Sequence, residues 1–307
     1  MVKLGFVFPG QGSQVTGMGK ELADNFEEAA KIYTEADKLA PYKISSICFD
    51  GPQELLDQTE YSQPAILVTS LACLAVAQKH GLSAQAMAGL SLGEYTALVA
   101  SGSLTIEEAL PLVMKRAQLM QKAVPEGKGA MAAVMGLDIN IVEEACNNTT
   151  GIVQIANYNC PKQLVLSGEK EAIDEVSSLL KDNGGRIRPL SISVPSHSPL
   201  MKQCSEDFKA ELNTVKFKES STMVFSNVNA STNSNSDLVD ILAQQLYSPV
   251  LWEQSIRNMM KNIDYIVEIG PGSSLSGLIK KIDKNIVLGQ INNLKSLEKT
   301  LERIGKL

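Results

Sequence analysis

The chain has 307 residues, 44% of them hydrophobic and 20% charged, with a formal net charge of −6. Such a chain buries a substantial core, and without a basic block to offset its acidity it is not a general nucleic-acid binder. Its five cysteines are scattered with no C-x-x-C pair, which excludes a disulfide framework and a zinc site and fits a reducing cytoplasm.

The first apolar stretch, Val2 to Phe8, is too short for a signal peptide, and no run of about 18 apolar residues offers a membrane span. Residues 4–8 read as a buried strand that enters Pro9-Gly10-Gln11-Gly12-Ser13-Gln14. G-x-G-x-x-G is absent there, so a phosphate cradle has little support. Two readings stay open: a tight strand-to-helix turn, or a source of backbone N–H groups for an oxyanion. Helical periodicity covers about 21–39. A second helix is expected from Ser62-Gln63-Pro64, with proline at an early position, to His80, which caps it before Gly81. That assigns His80 to structure rather than to base chemistry.

Next, an apolar run at 84–88 leads into Gly89-Leu90-Ser91-Leu92-Gly93, and a helix-prone run follows at 94–100. Strand, sharp turn with serine between two glycines, then helix is the layout of a nucleophile elbow. Such a turn presents the serine oxygen beside the positive end of the following helix, where backbone N–H groups stabilise an oxyanion.

The helix expected over 105–124 carries one apolar face: Ile106, Ala109, Leu110, Val113, Ala117, Met120 and Val124. Arg116 interrupts it. A buried arginine needs an anionic or carbonyl partner, so it is a structural ion pair, an edge residue snorkelling to water, or a fork for an anionic ligand. Spacing alone leaves these open.

From 129 the texture changes. Strands are expected at 129–135, 152–158, 163–167 and 186–191, with helices at 140–146 and 171–182. This βαββαβ order is the ferredoxin-like split motif. It implies a small subdomain, 128–196, inserted into a discontinuous α/β body of 1–127 and 197–307, with breaker-rich junctions at Gly127-Lys128-Gly129 and Val194-Pro195-Ser196.

His197 follows in a polar loop between prolines and is the only histidine besides His80. If Ser91 has a histidine base, it is this one. The remainder returns to α/β texture, with strands at 223–228, 265–269 and 285–288 and helices at 238–245, 274–282 and 294–305.

Taken together, Phe8 to Gln14, Gly89 to Tyr95, Lys115-Arg116, Asn157 to Pro161, Val194 to Met201, Gln245 to Trp252 and Glu268 to Gly272 resemble the malonyl-CoA:acyl-carrier-protein transacylases of bacterial fatty-acid synthesis, end to end. The resemblance implies a hydrolase-like α/β domain with a parallel sheet and an inserted ferredoxin-like subdomain. It implies Ser91 as nucleophile, His197 as base, the N–H groups of Gln11 and Leu92 as oxyanion hole, and Arg116 as holder of the malonyl carboxylate. Gln245 lies where the family places the group that orients the histidine, and no metal or cofactor is implied. The implied partners are malonyl-CoA and acyl carrier protein, the implied state a cytoplasmic monomer. A serine thioesterase or esterase with the same elbow, or a trans-acting polyketide acyltransferase, is the alternative. One departure stands out: Leu90 occupies the position before the nucleophile where the family often has histidine, and it donates no hydrogen bond into the pocket. For docking an acidic carrier, Lys280, Lys281 and Lys284, or Arg186 and Arg188, are candidates, although solvated surface charge is the simpler reading of each one taken alone.

Overall fold

In chain order the strands are β1 (Leu4–Phe8), β2 (Ala86–Gly89), β3 (Gly129–Met135), β4 (Val153–Cys160), β5 (Gln163–Glu169), β6 (Arg186–Pro189), β7 (Met223–Phe225), β8 (Tyr265–Ile269) and β9 (Val287–Ile291). They belong to a computed structural model that describes residues 2–190, 194–220 and 222–307. Five form one parallel sheet in the order β7-β2-β1-β8-β9. Every residue of β1 and β2 is buried, as expected of central parallel strands covered by helices on both faces. The other four form an antiparallel sheet in the order β4-β5-β3-β6, which is the ferredoxin-like arrangement of a βαββαβ segment. Of the residues expected to form its last strand, Ser191 lies outside the described residues.

The helix Thr59–Lys79 is the spine of the larger layer. By length and composition it could cross a membrane, but 83% of its most apolar window is buried within the fold, between the helices Glu27–Leu39 and Ile106–Lys122. It begins three residues earlier than the proline signal implied, so Pro64 lies inside it. Proline offers no N–H to the preceding turn; the carbonyl of Glu60 accepts from the Tyr42 hydroxyl at 3.4 Å. His80 closes this helix, its Nδ1 2.9 Å from the Val76 carbonyl.

Other boundaries moved for local reasons. The single helix expected over 21–39 is two, Lys20–Asn25 and Glu27–Leu39, broken where Phe26 adopts an extended backbone. Helices Ile44–Asp50, Gln53–Leu56, Lys202–Leu212 and Trp252–Met259 were not anticipated. The last strand is shifted to Val287–Ile291. The strand expected over 223–228 stops at Phe225, and Ser226-Asn227-Val228 leave the sheet as a loop. By contrast, the helix Ile106–Lys122 starts where its capping box dictates: Thr105 Oγ1 accepts from the Glu108 N–H, and Glu108 returns the bond to the Thr105 N–H.

The two sheets are joined along β4. Tyr158 N–H donates to the Val250 carbonyl at 2.9 Å and Val250 N–H to the Ala156 carbonyl at 2.8 Å. β4 carries register shifts at the same place, a bulged strand bending toward its second partner.

Candidate active site

β2 ends at Gly89, the chain turns through Leu90, Ser91 and Leu92, and a helix runs from Gly93 to Ala100. Ser91 has φ +53°, a left-handed backbone that non-glycine residues adopt only when surroundings enforce it. Both flanking glycines are required by space. A β-carbon at Gly89 would overlap the carbonyl of Gly93, and one at Gly93 would overlap the carbonyl of Phe8. Asn227 brackets the turn: its Oδ1 accepts from the Ser91 N–H at 2.6 Å, and its Nδ2 donates to the Gly89 carbonyl at 2.7 Å.

His197 Nε2 lies 2.8 Å from Ser91 Oγ. Its Nδ1 is 2.7 Å from the main-chain carbonyl of Gln245, an acceptor that places the proton on Nδ1 and leaves Nε2 as the basic nitrogen. Among the described residues no carboxylate bonds to this nitrogen. His197 also has a positive φ, +59°, and its loop is pinned on both sides. Its N–H donates to the Leu246 carbonyl at 2.9 Å, and its carbonyl accepts from Gln154 Nε2, on β4, at 2.6 Å. Burial, and then the positive charge of Arg116, lower the imidazole to about 4, so it is neutral at pH 7.

Arg116 is wholly buried. It projects from its helix so that Nη1 donates to Gln63 Oε1 at 2.7 Å, while Nη2 donates to Gln245 Oε1 at 3.0 Å and reaches Ser91 Oγ at 3.2 Å. The guanidinium stands 5.3 Å from the Tyr95 ring centroid. Its Nε has no partner among the described residues. This is not a snorkelling edge residue: the fork is held by neutral amides, with a buried donor left over.

Behind it lies Glu94, also buried. Its Oε2 accepts from Gln245 Nε2 at 2.6 Å and from the Asn227 N–H at 3.1 Å. Desolvation raises the carboxyl above its usual range, against the lowering by hydrogen bonds from Asn227, Gln245 and Ser226 and by the Arg116 charge.

A cavity of about 370 Å³ opens over these groups. Gln11, Leu92, Ser91, Arg116 and His197 border it; Gln245 stands behind. Its walls come from both sheets: Leu90, Leu275 and Leu278 from the large layer, Met131, Val165 and Leu190 from the small one. Neither the Gln11 nor the Leu92 N–H has an acceptor among the described residues; the Gln11 side chain is occupied by Thr59 at 3.0 Å. The six residues singled out from the sequence therefore converge. Gln245 meets the imidazole as expected, through its main-chain carbonyl, and its side chain additionally ties Arg116 to Glu94. Gln63, Glu94, Asn227 and Gln154 were missed. Glu94 and Asn227 act across 133 residues of chain, and only an acidic residue inside the apolar 93–100 helix could have drawn attention to the first.

Comparison with known proteins identifies the family and the fold. The family described as acyl transferase domain matches residues 5–295. A malonyl CoA-acyl carrier protein transacylase of Bacillus subtilis (strain 168) is 40% identical over 99% of this chain and 98% of its own; one of Escherichia coli O157:H7 is 39% identical over 98% and 100%. The crystal structure of the Clostridium perfringens transacylase superposes with a TM-score of 0.96 at 40% identity, covering 99% of this chain and 98% of that one. A malonyl-transacylase solved in complex with a type II polyketide acyl-carrier protein gives 0.95 at 38%, covering 98% and 99%. From end to end, the chain belongs to the acyl transferase family of the malonyl CoA-acyl carrier protein transacylases.

Proposed function

We propose that the protein moves a malonyl group from malonyl-CoA to the thiol of an acyl carrier protein through a covalent malonyl ester on Ser91. The observation that carries this reading is the buried Arg116 fork within reach of the serine oxygen, its partners neutral and its Nε unpaired among the described residues. A bare esterase has no use for a buried cation 3.2 Å from its nucleophile; an enzyme selecting acyl groups with a free carboxylate does.

In the first half-reaction His197 Nε2 takes the Ser91 proton as Oγ attacks the thioester carbon. The carbonyl oxygen gains charge and is met by the Gln11 and Leu92 N–H groups. The C–S bond then breaks, and the imidazolium returns its proton to the departing CoA thiolate. In the second half, the carrier thiol gives its proton to His197, attacks the ester, and Ser91 recovers its hydrogen as transfer completes. The apolar walls disfavour water as acceptor. Division of labour follows the chain: 1–127 and 197–307 hold nucleophile, base and clamp, and 128–196 roofs the cavity. The five unpaired cysteines support a cytoplasmic setting, and one chain supplies every group used, which supports action as a monomer.

Intact-mass measurement after brief incubation with malonyl-CoA or acetyl-CoA tests the reading. Wild type is expected to gain one malonyl group, and Ser91→Ala none. Arg116→Ala should lose malonyl loading by about 100-fold or more, from the cost of removing a buried charge-assisted contact, and acetyl loading far less. Equal losses would remove Arg116 from the clamp, and an adduct on Ser91→Ala would remove Ser91 from its role.

A further inference from the structure

Arg116 and Glu94 are both buried, yet they do not touch. Among the described residues Arg116 makes no ion pair with a carboxylate. A charge with no counterion in such surroundings is costly. The two meet through one amide: Gln245 Oε1 takes the Arg116 Nη2 donor at 3.0 Å, and Gln245 Nε2 gives to Glu94 Oε2 at 2.6 Å. The ends of that amide are not interchangeable. A carboxylate demands the NH2 end and a guanidinium the oxygen end, so Glu94 fixes which way Gln245 faces.

The same carboxylate oxygen takes the Asn227 N–H, and the Asn227 side chain holds both Ser91 N–H and the Gly89 carbonyl. Gln245 Nε2 also reaches the Ser91 carbonyl at 3.1 Å. One buried oxygen thus anchors the amide that steers the fork and the amide that braces the elbow. A direct Glu94–Arg116 pair would fill the donors that a ligand carboxylate needs. The intervening amide takes a single bond from Nη2, links the fork to Glu94, and leaves Nε without a partner among the described residues.

We propose that Glu94 is a positioning residue for acyl-group selection: as hydrogen-bond acceptor for Gln245, it holds the Arg116 fork in the orientation that receives a carboxylate-bearing acyl group. The claim rests on Arg116 as the carboxylate clamp and adds what sets its aim. It separates from a general structural role because acetyl transfer, which has no carboxylate to place, does not need that aim.

Two substitutions divide length from charge. Glu94→Asp keeps the charge and withdraws the oxygens by one methylene, out of reach of Gln245 Nε2. Glu94→Gln keeps the length and removes the charge; both bonds fall on one oxygen, so a single amide oxygen accepts both. Rates of acyl-enzyme formation from malonyl-CoA and acetyl-CoA are measured for each by intact mass. Glu94→Asp is expected to lower the malonyl-to-acetyl ratio about tenfold, the loss of one buried charge-assisted hydrogen bond, and Glu94→Gln to keep it within about twofold. Equal loss for both acyl groups in Glu94→Asp, an unchanged ratio there, or an equal fall in Glu94→Gln each overturns the proposal. Wild type separates the two readings. No malonyl preference in wild type would sink the Arg116 clamp itself, whereas a preference that survives both substitutions sinks only Glu94.

Discussion

At the scale of single residues, the site works by withholding solvent. His197 is held at about 4, first by burial and second by the Arg116 charge. The sign is plain for a histidine whose folded value lies below its usual 6.5: base function is present above about 4 and lost as pH falls through it. The same depression costs folding stability as pH falls from 6.5 toward 4, because the unfolded chain takes up the proton first. The acid limb of kcat/KM for acyl loading is therefore expected near 4, far below an ordinary imidazole. Binding of a carboxylate at Arg116 cancels part of the charge that depresses the ring, so the limb in kcat should lie higher for malonyl than for acetyl loading. A stopped-flow pH series with both donors checks this; a kcat/KM limb at 6.5 would contradict the burial argument.

Among elements, the elbow shows how a short sequence encodes a rigid device. At Gly89 an added methyl meets backbone, and backbone cannot step aside as a side-chain end can. At Gly12 the backbone is left-handed, φ +98°, but an added methyl meets nothing within 4 Å among the described residues. Gly12→Ala should therefore cost about 1 kcal/mol of backbone strain, and Gly89→Ala roughly 4 kcal/mol or more. Thermal unfolding of the two variants reads the difference, and comparable midpoints would show that the turn has room after all. This locality made the elbow legible in sequence, as it did the interrupted apolar stripe of Arg116 and the βαββαβ order of the small sheet. Helices such as Lys202–Leu212 were not legible, since their charged faces mask the few residues they bury. Nor was the service of Asn227 to Ser91, 136 residues away: a buried amide has no periodicity to betray it, and only the folded sheet brings β7 beside β2.

For the whole molecule, the question is why a catalytic α/β layer carries a second sheet at all. Part of the answer is the roof that Met131, Val165 and Leu190 provide; the rest is mechanical. The His197 loop is not supported by its own layer alone. Gln154, on β4 of the small sheet, donates to the carbonyl of His197 at 2.6 Å and to that of Tyr247 at 3.2 Å, while β4 main chain bonds to Val250 a few residues on. Both sides of the imidazole's backbone frame, 197 and 245–250, are thus stitched to one strand of the inserted unit. A positive-φ histidine needs such over-determination to keep Nε2 at 2.8 Å from the serine oxygen. Gln154→Ala removes both side-chain donors and leaves two carbonyls unpaired, a cost of about 1–3 kcal/mol. Because it disturbs the base and leaves the carboxylate clamp untouched, it should slow acyl-enzyme formation about tenfold for malonyl and acetyl donors alike, a ratio preserved where Glu94→Asp would shift it. Single-turnover rates with both donors decide the matter: a loss confined to malonyl loading, or no loss with either donor, would detach the small sheet from the positioning of the base.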